Sequence, residues 1–110
     1  MNPLSLSWRY FGTREVQLAR EWVGEGGIAV HENLYRSRGR RAAHLLARDY
    51  AVLLGAARLL GCEAYWIQRT RTVHFDLVGV YLERALVICG VDPELPPARS
   101  TATGATPARA

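Results

Sequence analysis

The sequence predicts an α/β fold: a small sheet of two or three mostly parallel strands alternating with helices. Three observations lead there. Strand-like and helix-like segments alternate along the chain. The stretch between the candidate strands that start at Ile28 and Glu63 is long enough for a right-handed crossover. Apolar residues make up 49% of the 110 residues and charged ones 22%, which suits one packed domain and excludes a wholly disordered chain, a collagen-like chain and a disulfide scaffold.

Residues 4–11 read as a strand, with Leu4, Leu6 and Trp8 on one face and Ser5 and Ser7 on the other. Thr13 is placed to cap a helix over 14–23, whose Val16, Ala19 and Val23 share a side; Gly24, Gly26 and Gly27 end it. Residues 28–31 form a short buried strand, and 32–41 a polar, Arg-rich loop. Residues 42–47 fit either a backward extension of the next helix or a separate turn. Asp49 caps that helix, which runs to Leu60 with Leu53, Ala56, Ala57 and Leu60 at helical spacing and Gly61 just past its end. Residues 63–68 read as the second strand, centred on Tyr65, Trp66 and Ile67. Residues 69–76 read as a polar loop. Residues 78–89 form the last helix, with Val78, Tyr81, Leu82, Ala85 and Cys89 on one face. The segment 92–110 holds four of the five prolines and few large apolar side chains, the composition of a disordered tail. So few strands imply a sheet that a second copy of the chain could complete.

All 14 basic residues are Arg, and the net charge is +4. Arg suits bidentate contact with carboxylates and phosphates, so an anionic ligand, nucleotide or nucleic acid, is the partner to expect. Cys62 and Cys89 lack CxxC spacing and read as buried, reduced thiols. The most apolar stretch, 51–60, is interrupted by Arg58 and is too short to cross a bilayer. A cytoplasmic protein with no membrane partner is expected.

Parallel strands would bring the loops after them to one edge of the sheet, where open α/β sheets bind ligands. One loop carries Glu32, Arg36, Arg38, Arg40 and Arg41, with His44 beyond it; the other carries Arg69, Arg71, His74 and Asp76. His74 and Asp76, two apart in an extended segment, project to one side. Such a pair can ligate a metal ion or form an acid/base couple, unless Asp76 merely caps the following helix. His44 and Glu32 are candidates to complete a divalent-metal site. The arginines 36, 38, 40, 41, 69 and 71 are candidates to hold phosphate or to track a nucleic-acid backbone. HExxH, GxGxxG, P-loop and GxSxG patterns are absent from the sequence.

These stretches, taken together, resemble the small bacterial and phage proteins grouped as domain of unknown function 4031. The resemblance runs through Ile28-Ala29-Val30-His31-Glu32, the Arg loop, Ala43-His44-Leu45-Leu46-Ala47-Arg48-Asp49, Leu60-Gly61, Tyr65-Trp66-Ile67-Gln68, His74-Phe75-Asp76-Leu77 and Cys89-Gly90-Val91. It implies a single domain over 28–91. Residues 1–27 would then be an N-terminal extension, either an added strand and helix or the product of a start placed too early. The resemblance selects His44, His74 and Asp76 as a shared constellation and names no reaction. His31-Glu32 departs from the acidic pair usual in that family. The functional expectation is a site for an anion or nucleotide, with His44, His74 and Asp76 as catalytic or metal-binding residues. The alternative is a non-enzymatic nucleic-acid- or protein-binding module built on the Arg loop.

Overall fold

The computed structural model describes residues 7–99. It is α/β, with one five-stranded mixed sheet and three helices. In chain order these are β1 (Trp8–Phe11), α1 (Val16–Gly24), β2 (Ile28–Glu32), β3 (Ala42–Leu46), α2 (Tyr50–Leu59), a 3-10 turn at Ala64–Trp66, β4 (Gln68–Arg69), β5 (Val73–Val78) and α3 (Gly79–Ile88). The sheet order is β1-β2-β3-β5-β4.

The expected class is present, but the expectation of two or three mostly parallel strands is corrected. Only β1 and β2 run parallel, joined through α1; β2–β3, β3–β5 and β4–β5 are antiparallel. The Arg-rich segment is a hairpin connection, not the start of a crossover. Ser37 and Arg40 exchange backbone hydrogen bonds of 2.8 and 2.9 Å, and the two residues between them, Arg38 and Gly39, both take positive φ (53° and 76°). Two such central residues match the twist of antiparallel strands. With five strands in one chain, the shortage that suggested a partner copy does not arise.

Two further elements differ from the sequence reading. The stretch 63–68 is not a central strand: Tyr65 is exposed, and Trp66 turns edge-on to Tyr81 of α3, ring centroids 5.3 Å apart. Packing against a helix there overrides β propensity. The supposed loop 69–76 and the ambiguous 42–47 supply the sheet instead. In β5 Phe75 and Leu77 alternate inward, and in β3 Ala43 and Leu45 do the same, all at 1% exposure or less. In β3 the intervening Ala42 and Leu46 are apolar too, so no alternation shows, whereas in β5 His74 and Asp76 alternate with Phe75 and Leu77 over only four residues.

The two faces of the sheet are covered unequally. On one, Tyr10, Ile28, Val30, Ala43, Leu45, Phe75 and Leu77 pack against Leu53, Ala56 and Ala57 of α2 and Leu82, Ala85 and Leu86 of α3. On the other, Phe11, Ala29 and Leu46 meet Ala19, Trp22 and Val23 of α1 alone. Gly27 lets the chain pass against the Trp22 indole, whose Nε1 donates to the Ile28 carbonyl at 3.2 Å; any Cβ at Gly27 would collide with that ring. One helix cannot cover five strands, so among the described residues part of this face stays open.

The boundary at residue 27 does not separate structural units, because β1 and α1 belong to the same sheet and core. Glu15, not Thr13, stands at the start of α1, and its Oε1 accepts the Gly12 N–H at 2.8 Å. The first part of the expected tail is also packed. The N–H groups of Thr13 and Arg14 donate to the carbonyls of Ala98 and Arg99, both at 2.9 Å, and Arg41 Nη1 donates to the Leu95 carbonyl at 3.0 Å. Residues 1–6 and 100–110, which include the rest of the tail and the first part of the expected opening strand, lie outside the described residues. Among the described residues, both cysteines are free thiols, and no helix is long and apolar enough to cross a membrane.

Candidate metal centre

The open part of the α1 face is lined by the residues that alternate against the core. In register, His31 of β2 lies opposite His44 of β3, and His44 lies opposite Asp76 of β5. His74 precedes Asp76 by two residues and therefore shares its face. Antiparallel pairing, rather than the loop edge of a parallel sheet, brings the three together.

Their geometry is tight. His44 Nε2 is 3.3 Å and His74 Nε2 3.2 Å from the same oxygen, Asp76 Oδ1. The two imidazole centroids are 4.2 Å apart, and one ligand atom from each of the three residues falls within 4.8 Å of the others. A divalent first-row cation held at about 2.1 Å from N and O donors places adjacent ligand atoms about 3.0–3.4 Å apart. Both separations from the Asp76 oxygen fall in that range.

The second nitrogen of His74 sharpens the point. Nδ1 lies 2.7 Å from the Thr72 carbonyl, which can only accept, so Nδ1 carries the proton. In neutral His74 the Nε2 lone pair then faces a carboxylate oxygen, acceptor against acceptor. A cation between them, proton or metal, resolves the conflict. Pinning the distal N–H on a backbone carbonyl is also how metal-ligating histidines are oriented. Burial, followed by the nearby His74, pushes the His44 pKa below the usual imidazole value, which keeps its ligating form. Burial likewise lowers that of His31. His74 is nearly buried, whereas His44 and Asp76 are 37% and 47% exposed, so the site opens to solvent.

Glu32, expected as a further metal ligand, is not part of this cluster. Its place in β2 turns it to the α2–α3 face, where it is 1% exposed. Tyr10 Oη donates to its Oε1 at 2.6 Å, and Arg41 holds both oxygens at 2.9 Å through Nε and Nη2. Both carboxylate oxygens are thus engaged. The phenol of Tyr10, desolvated and bonded to that carboxylate, has its pKa pushed up to about 12.

The arginines do not form one anion site, and the two loops do not face each other. The 33–41 loop lies beyond the end of the sheet marked by Val78, whereas the 70–72 turn lies at the opposite end of β5. Arg41 is committed to Glu32 and the carbonyls of Pro93 and Leu95. Arg40 packs against Gly79, and with Arg36, Arg41, Leu82 and Pro93 it lines a cavity of about 340 Å³ beside α3. Arg36 donates to the Gly39 carbonyl at 3.2 Å, and Arg38 sits at the exposed turn. Arg69 donates to Tyr50 Oη at 2.9 Å with its guanidinium over that ring, and Arg71 is exposed in the far turn.

Sequence reasoning put His31 and Asn33 at the start of the loop lining the expected crevice but assigned them no role in the site. Their signal was parity: they alternate with Val30 and Glu32, and so stand on the same face as His44. No family model matches this chain, and no curated protein or solved structure matches it either.

Proposed function

We propose that this chain binds a divalent first-row transition cation through His44 Nε2, His74 Nε2 and Asp76 Oδ1. The observation that carries the reading is the convergence of both imidazole Nε2 atoms on one carboxylate oxygen while the His74 N–H is committed to Thr72. Two histidines and one carboxylate on one side of a cation leave coordination positions free for water or substrate. A cation so held supplies Lewis acidity and activates bound water. The resemblance to domain of unknown function 4031, drawn from the sequence, runs through the same three residues. The test is thermal melting of the apo chain with Zn²⁺, Co²⁺, Ni²⁺, Mn²⁺ and Mg²⁺. Stabilisation by the nitrogen-preferring ions and none by Mg²⁺ is expected, since a ligand that binds only the native state raises the midpoint. No shift with any ion would end the reading.

The nucleotide or nucleic-acid role expected of the arginines is a separate, second reading. It is favoured by the exposed hairpin tip, where Tyr35 is 80% exposed beside Arg36 and Arg38. Binding to single-stranded nucleic acid that falls steeply between low and moderate salt would support it. Unchanged affinity after replacing Tyr35, Arg36 and Arg38 with Ala would discard it.

A further inference from the structure

Three arginines, Arg36, Arg40 and Arg41, line the cavity of about 340 Å³ beside α3, and none of the proposed metal ligands does. A volume of that order lies in the range of small-ligand pockets. Arg41 forms a fixed wall. Its Nε and Nη2 hold Glu32 and its Nη1 reaches the carbonyls of Pro93 and Leu95, so its charge is already neutralised. Arg36 and Arg40 differ from it. Arg36 Nη1 donates to the Gly39 carbonyl at 3.2 Å, which holds the side chain at the hairpin without cancelling its charge. Arg40 Nη2 lies where a Cβ of Gly79 would stand, and Gly79 takes a positive φ of 56°. Among the described residues Arg40 has no hydrogen bond or ion pair, and Glu83, the one acid of the lining, pairs with neither arginine.

Two guanidinium groups are thus gathered at one cavity with no carboxylate paired to either. Both are permanently charged, and both residues are exposed, so a ligand can reach them. Like charges brought together repel, and an oxyanion bridging them relieves that repulsion. The planar fork of each guanidinium matches the oxygens of a phosphate or carboxylate. Charge decides between the anions: two unneutralised cations match a dianion, such as a phosphate monoester, better than a phosphodiester or a simple carboxylate, each of which carries one charge. Leu82 and Leu86 of the lining are only 3% and 1% exposed, so recognition falls on the phosphate rather than on an apolar body.

We infer that Arg36 and Arg40 bind the phosphate of a small phosphate monoester in this cavity. The inference does not rest on the metal reading, which concerns other residues. It differs from the nucleic-acid reading in two ways. Arg40 replaces Tyr35 and Arg38 as the partner of Arg36, and the anion is a terminal dianion rather than a backbone diester. Arg41, tied to Glu32 and to the 93–95 segment, anchors the adjoining hairpin arm, so part of the cost of ordering the site is met before the ligand arrives.

The experiment titrates the full, nitrogen-15-labelled chain with methyl phosphate and with dimethyl phosphate, following backbone amide shifts. EDTA is present so that no cation mediates binding. Ionic strength is held constant, at about pH 8, where the monoester is a dianion. Methyl phosphate is expected to give saturable shifts at Gly39, Arg40 and Gly79, and to bind at least about fivefold tighter than dimethyl phosphate. Arg40→Gln should weaken methyl phosphate about tenfold, the loss of a charge-assisted contact. Arg38→Asn removes the same charge from the adjoining turn, at a positive φ that Asn tolerates, and Arg38 does not line the cavity; it should change the affinity less than about twofold. No saturable shift, saturable shifts confined to other residues, or equal affinity for the two esters overturns the inference, and these readings need no variant to fold. Equal weakening by Arg38→Asn and Arg40→Gln also overturns it, since the effect is then one of net charge.

Discussion

His44 and Asp76 face each other across β3 and β5, with the imidazole Nε2 3.3 Å from Oδ1, and His74 reaches the same oxygen from two residues along β5. The pairing is set by the sheet, not by a flexible loop. Side chains on the opposite parity, Ala43, Leu45, Phe75 and Leu77, anchor both strands in the core. A one-residue slip of β5 would exchange these two sets, so core packing fixes the site's register.

Single alanine substitutions at His44, His74 and Asp76 should therefore separate ligation from folding. Each is expected to abolish the metal-induced rise in melting temperature, and the double substitutions should do no further harm, since a shared site acts as a unit. Apo stability should change by less than about 1 kcal/mol for the half-exposed His44 and Asp76. For His74, which loses its bond to Thr72, the cost should be about 1 kcal/mol. Melting curves of apo and metal-loaded variants check this. Retention of the metal shift by Asp76→Ala would assign the cation elsewhere.

The helices and the buried β2 were legible in the sequence because their signals are local: Asp49 before α2, Gly61 and Gly90 after α2 and α3, and a wholly apolar start to β2. The antiparallel strands were not. β3 and β5 carry the site, so histidine and aspartate occupy one face, and the continuous apolar run that marked buried β2 is replaced by a short alternation in β5 and a single interruption in β3. Tyr65 and Trp66 supplied a false strand in their place. The triad was found even so, because His74 and Asp76 share a face whether extended in a loop or in a sheet. Glu32 was misassigned because strand parity, invisible while β2 was read as ending at His31, turns it away from its neighbour.

Tyr10 predicts an alkaline limit to stability. Its pKa is raised to about 12 in the fold by burial and by the Glu32 carboxylate. The unfolded phenol titrates near pH 10, so between about 10 and 12 the native state holds the extra proton. The contribution is fully present below pH 10 and is lost as pH rises to about 12; at about 1.4 kcal/mol per pH unit it amounts to roughly 2–3 kcal/mol. Denaturant melts at pH 9, 10, 11 and 12 read it directly. Tyr10→Phe should flatten the decline attributable to this group and cost about 1–2 kcal/mol at neutral pH, where the bond to Glu32 is lost. An unchanged alkaline decline in Tyr10→Phe would place the sensitivity in another group.

Arg41 predicts an asymmetry between breaking a charge pair and replacing it. Arg41→Ala leaves the Glu32 carboxylate at 1% exposure with only Tyr10 as donor, and should cost about 3–5 kcal/mol. Arg41→Met with Glu32→Leu removes both charges and should be milder than Arg41→Ala alone. Urea denaturation of the two variants gives the comparison. Equal losses would show that Arg41 acts through its contacts with Pro93 and Leu95 rather than through the ion pair.

Those contacts make the 92–99 segment part of the fold. Arg41 Nη1 donates to the carbonyls of Leu95 at 3.0 Å and Pro93 at 3.4 Å, the Ala98 N–H donates to Tyr10 Oη at 3.1 Å, and Thr13 and Arg14 donate to Ala98 and Arg99. Each such bond contributes about 1 kcal/mol net. Ordering the segment costs roughly 1–2 kcal/mol per residue fixed, so its own bonds leave no surplus. The larger effect of removing it falls on what it covers, the Tyr10–Glu32–Arg41 group and the start of α1. A chain ending at Val91 should lose roughly 2–4 kcal/mol, more than loop removal usually costs and less than the loss of a core element. If the link is Tyr10, the truncation and Tyr10→Phe should cost less together than the sum of their separate effects, since both remove the Ala98–Tyr10 bond. Strict additivity would mean that the segment acts through Thr13 and Arg14 instead, and a truncated chain as stable as the full one would mean that it contributes nothing.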